Sequence, residues 1–216
     1  MDLITILKEI FYFPGNVTLP FLIIRINKIE KKYYYLIAYI FFGFLKQIYF
    51  RFYASEIYEF KISNSIGPII LYPLFYVFLC KLSSIKKKKY LFVALILSLI
   101  GFIDLFLNLN INGIPKYHFE LLHLSIIFFL CIQRINFFKI GGKLSTSNKF
   151  LNSTLIIYII FILYYIFLQL LMFFLFNNQS KIFFMKLYSI MFVIGVFFNI
   201  SVLLLILTLP KREKYA

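Results

Sequence analysis

The chain has 216 residues, of which 62% are hydrophobic, 22% aromatic and 14% charged, with a net charge of +15 and a mean hydropathy of +0.91. Soluble domains are about 45–50% apolar and about 25% charged, so a water-soluble fold of this size could not hide so much apolar surface. Intrinsic disorder is excluded as well, because it requires few aromatics and low hydrophobicity.

About 20 apolar residues carry a helix across the hydrocarbon core of a bilayer, and seven such runs follow one another. The first, roughly Leu3 to Ile24, is broken by Lys8, Glu9, Pro14, Gly15, Asn16 and Pro20. It reads as a short span after an interfacial turn, or as a segment lying in the interface, which would leave six. The others are Tyr33 to Tyr53, Ser65 to Leu82, Tyr90 to Leu109, Tyr117 to Phe138, Leu151 to Phe176 and Ile182 to Leu209. Pro68 and Pro73 predict a kink in the third, and Pro210 stops the last. These runs are apolar all round instead of alternating, which predicts helices and not barrel strands. Residues 1–10 carry Asp2, Lys8 and Glu9 in place of a basic leader, so the first helix is expected in the mature protein.

The connecting segments alternate in charge. Of the 23 Lys and Arg residues, sixteen fall in the first, third and fifth loops and the carboxyl-terminal tail, and six on the opposite side. Lysine and arginine accumulate on the cytoplasmic side. The expected arrangement is therefore all-α: one transmembrane helix bundle over residues 1–216, amino terminus outside, carboxyl terminus in the cytoplasm, in the inner cell membrane. Tyr33, Tyr34, Tyr35, Tyr53, Tyr90 and Tyr117 suit the headgroup layers. Topology accounts for the positive charge, and no nucleic-acid partner is expected. Cys80 and Cys131 form no CxxC or metal spacing and read as small packing residues.

An ionisable residue inside a membrane is costly and is the default site hypothesis. Candidates are Lys46 in the second span, Asp104 in the outer third of the fourth, and Glu120 and His123 in the outer third of the fifth, with His118 at its rim. Asn108, Asn110 and Asn112 fill the turn between the fourth and fifth spans. Glu120 and His123, three residues apart, share a helix face. A Glu-x-x-His pair occurs in carboxylate-bridged metal bundles, but those need two pairs and further glutamates, so no metal is expected. Hydration near the headgroups, or a proton-sensitive or ligand-contacting cluster, are the readings left. Lys46 has three: snorkelling to the interface, an ion pair with Asp104, or contact with an anionic ligand. Gln133, Gln169, Asn199 and Ser201 read as interhelical hydrogen-bonding groups.

Hydrolase, zinc-protease and phosphate-loop motifs are absent. A retinal protein fails because the seventh span has no lysine near its middle and the chain has no tryptophan. No cofactor is expected.

A basic turn Arg25-Ile26-Asn27-Lys28, Glu120 opening the fifth span, and Asn199-Ile200 followed by Leu209-Pro210-Lys211 give a layout that resembles the short seven-helix membrane proteins frequent in Bacteroidota. Those proteins often carry His-x-x-x-Pro-x-Glu at the opening of the third span. Here that stretch is Ser63-Asn64-Ser65-Ile66-Gly67-Pro68, without histidine or glutamate. The resemblance implies a fold and no activity. The sequence favours a non-enzymatic sensory or accessory subunit that binds a small or lipidic ligand, or another membrane protein's helices, near the outer leaflet. A small transporter is the alternative, and an intramembrane lipid-acting enzyme using His118, Glu120 and His123 a second.

Overall fold

The computed structural model describes residues 29–52, 62, 65–83, 86–109, 120–139, 146–175 and 181–208, with 20, 23 and 24. Among them the chain is helical, with no strand: α1 is Tyr34–Phe52, α2 Tyr72–Leu82, α3 Lys87–Leu109, α4 Glu120–Lys139, α5 Thr146–Leu175 and α6 Lys181–Thr208. A 3-10 turn, Lys31–Tyr33, leads into α1, and a π-helical turn, Gly67–Leu71, leads into α2. Apart from 20, 23 and 24, the expected first segment lies outside the described residues. So do the Arg25–Lys28 turn and the tail.

The six helices coincide with the six later apolar runs. The third run is divided between the π-turn and α2, and α3 and α5 begin at Lys87 and Thr146 instead of Tyr90 and Leu151. Hydropathy reports the apolar part of a helix only. The hydrogen-bonded ladder runs on through polar residues, because stopping earlier would merely move the orphan N–H groups deeper. In that polar first stretch of α5, the hydroxyls of Ser153 and Thr154 donate back to the carbonyls of Lys149 and Phe150, at 3.1 and 2.8 Å.

The kink expected in the third run takes a specific form. Pro73 has no N–H, so a regular α-helix would leave the carbonyl four residues earlier without a donor. The Tyr72 N–H instead donates to the Gly67 carbonyl, five residues back, and the ladder widens to π register between the two prolines.

Contacts divide the chain into two compact units, one comprising Lys28–Asn136 with the tail, the other Phe137–Pro210 with the first 27 residues. In the first unit α1, α2 and α3 pack as antiparallel neighbours. Tyr39 meets Phe75 at 5.1 Å between ring centroids and Tyr33 meets Phe78 at 6.1 Å. Tyr76, Val77 and Cys80 of α2 bury against Tyr90, Ala94 and Leu97 of α3, and Ile126 and Leu130 of α4 pack onto this cluster. Both cysteines are free thiols and buried. A close backbone approach is at Gly101, where a Cβ would lie 2.9 Å from the Pro68 carbonyl carbon and 3.0 Å from Ile69 N. Only glycine fits there, and it lets α3 lie directly on the π-turn.

Among its described residues the second unit has α5 and α6 as an antiparallel pair. Tyr164 of α5 donates to the Leu187 carbonyl of α6 at 2.9 Å, and Tyr158 meets Phe198 at 5.0 Å. Leu151, Leu155, Tyr158 and Ile162 are buried opposite Phe198, Val202 and Leu205. At 30 and 28 residues these helices are about 45 and 42 Å long.

Among the described residues two helices, at Lys88–Leu107 of α3 and Asn148–Leu168 of α5, are long and apolar enough to cross a membrane; Gly67–Leu82 and Val193–Thr208 are apolar but shorter.

Candidate functional site

The faces of α3 and α4 are inverted relative to a helix in water, which turns its apolar stripe inward and its charges outward. On α3 the outward residues are Phe92, Leu95, Leu99, Phe102 and Phe106, while Tyr90, Ala94, Leu97, Gly101 and Asp104 are buried. On α4 the buried face holds Glu120, His123, Leu124, Ile127, Cys131 and Arg134, whereas Leu122 and Phe129 are exposed. Asp104 is 2% exposed and His123 0%.

Four helices of the first unit bring polar groups to this interior. The Tyr72 hydroxyl, at the first residue of α2, donates to Glu120 Oε1 at 2.6 Å. His123 lies one turn further along α4, 6.1 Å from the Tyr72 ring between centroids. Its Nε2 stands 2.9 Å from the Leu97 carbonyl of α3. A carbonyl only accepts, so Nε2 must carry the proton and donate. From α1, Lys46 lies within electrostatic reach of Glu120. Ser65, before the π-turn, is buried as well.

The π-turn explains the position of Tyr72. One extra residue per turn rotates the helix beyond it, so Tyr72 closes the π ladder with its N–H and reaches Glu120 with its hydroxyl. The Tyr72 ring in turn lies over Gly67, whose absent Cβ would be 3.6 Å from it.

Of the residues singled out in the sequence, Glu120 and His123 share the buried face of α4, Lys46 lies within electrostatic reach of Glu120, and Asp104 is buried on α3. Asn108 is in the last turn of α3; its side chain and the whole of His118 lie outside the described residues. The charge of Glu120 acts on Lys46. His123 reaches the carbonyl of Leu97, the eleventh of the 23 residues of α3. Tyr72 was missed. Its signal, a hydroxyl-bearing ring between two prolines inside an apolar run, is visible in the sequence but does not name the carboxylate it meets.

Among the described residues no three His, Cys, Asp or Glu side chains converge as metal ligands do. The arrangement can hold a charge-balanced polar ligand, exchange protons at carboxyl, imidazole and phenol, or tie α4 to α1, α2 and α3. Comparison with protein-family models, with curated proteins and with solved structures found no match.

Proposed function

We propose that the chain is a polytopic integral membrane protein of about seven helices in the inner cell membrane, amino terminus outside and carboxyl terminus in the cytoplasm. It acts there as a non-enzymatic sensory or accessory subunit. The group formed by Lys46, Tyr72, Asp104, Glu120 and His123 binds a small or lipidic ligand in the outer half of the bilayer. The observation that carries this reading is the inverted patterning of α3 and α4: charges inward, Leu and Phe outward. Hydrocarbon is the solvent in which that inversion lowers the free energy. A soluble core helix would be mostly buried, whereas only 28% of the apolar window of α3 and 33% of that of α5 is. The basic ends of the first unit, on the side where α1 and α3 begin and α2 ends, support the orientation.

A binding role is argued from the cost of the cluster. Tyr72, Glu120 and His123 meet in an apolar bundle with Lys46 in electrostatic reach of Glu120, whereas apolar packing alone would hold such a bundle together. The test is native mass spectrometry of the detergent-purified protein. The expected spectrum has an adduct of defined mass that is lost in Glu120→Gln and Lys46→Met. A bare chain in every sample contradicts ligand binding. Flux into proteoliposomes that vanishes in Asp104→Asn would favour the transporter alternative.

A further inference from the structure

The end of the first unit where α1 and α3 begin carries most of its described cations. Among the described residues its one acid is Glu30, whose carboxylate is 2.6 Å from Lys32 Nζ. Lys81 lies over the Tyr35 ring at 4.8 Å, and Arg134 is turned into the bundle toward Tyr33. The cations left facing outward are Lys31, Lys86, Lys88 and Lys89, all exposed.

Their register decides what they face. Lys88, Phe92, Leu95 and Leu99 recur at four, three and four residues, so they form one stripe, and Phe92, Leu95 and Leu99 are 66, 70 and 60% exposed. Lys89 stands likewise above Ile96 and Ile103, which are 40 and 47% exposed. Four residues of helix rise about 6 Å, so the Lys88 ammonium stands just beyond Phe92, the first outward apolar side chain of its stripe, and Lys89, one residue on, stands at nearly the same level. If Phe92 marks the edge of the hydrocarbon, that is the depth of a phospholipid phosphate. A nucleic acid or an acidic protein would meet these lysines from the water and leave the apolar stripe uncovered. A lipid with an anionic head and two acyl chains covers both.

We propose that this end of the unit selects anionic phospholipid headgroups, with Lys88 and Lys89 on the phosphate and the Phe92–Leu95 face against the acyl chains. The proposal rests on the membrane reading above. The test exploits the absence of tryptophan from the chain: Phe92→Trp puts a single indole on that stripe. The reporter is reconstituted into vesicles containing phosphatidylglycerol or phosphatidylcholine with brominated acyl chains, which quench indole fluorescence on contact. Quenching is expected to report an association constant for phosphatidylglycerol about fivefold higher for each lysine engaged. The preference should fall toward one in a Lys88→Gln, Lys89→Gln background and persist in Lys88→Arg, Lys89→Arg. Equal quenching by the two lipids, or a preference unmoved by the glutamines, overturns the proposal. So does its loss on adding inorganic phosphate at matched ionic strength, which would assign the lysines to a free anion. Quenching by neither lipid would overturn the membrane reading and the proposal with it.

Discussion

A carboxyl group taken from water into an apolar interior loses its hydration, and Glu120 meets that loss with the Tyr72 hydroxyl at 2.6 Å and Lys46 in electrostatic reach. His123 satisfies the same requirement by donating to a main-chain carbonyl that is already in a helix. Interhelical hydrogen bonds in membranes are worth roughly 0.5–2 kcal/mol, less than the gross strength of the bond, because the unfolded chain in the bilayer also finds partners. The double-mutant cycle Tyr72→Phe with Glu120→Ala, read by unfolding in mixed micelles, should give a coupling of about 0.5–2 kcal/mol. A coupling within error of zero would mean that the two groups do not stabilise one another. The sequence named Glu120 and His123 as a pair on one face, since that depends on spacing within one helix. It could not name Tyr72 as the partner of Glu120. That depends on how far helices are rotated and slid against each other, which is set by contacts such as Gly101 on Pro68.

At the scale of the element, the two described helical glycines with opposite surroundings separate packing from propensity. A Cβ at Gly101 would lie 2.9 Å from backbone that has no freedom to move aside, whereas one at Gly43 of α1 would meet nothing within 4 Å. Gly101→Ala should destabilise by about 1–3 kcal/mol through overpacking. Gly43→Ala should be neutral or stabilise by up to about 1 kcal/mol, since alanine is the better helix former. Thermal unfolding of both variants in detergent checks this, and an undisturbed Gly101→Ala protein would contradict the close approach of α3 to the π-turn. Helix positions were readable from the apolar runs, from α1 to α6. The π register was not: Pro68 and Pro73 announce a break, but whether a helix kinks, stops or widens by one residue is decided by the hydrogen bond from Tyr72 to Gly67.

At the scale of the whole molecule, the apolar exterior and the charge distribution make separate predictions. Orientation is tested with single cysteines, against the buried native thiols Cys80 and Cys131. Asn112→Cys should react with a membrane-impermeant maleimide in intact spheroplasts, and Ser83→Cys only after permeabilisation. The reverse pattern would invert the topology and move the polar cluster to the inner half of the bilayer. The inverted patterning of α3 and α4 makes the more basic demand that hydrocarbon surround the chain. Flotation of alkali-washed cell membranes on a density gradient examines it most directly. An integral protein rises with the bilayer and is released only by detergent. Recovery of the chain in the detergent-free wash, dissolved and monodisperse, would contradict it.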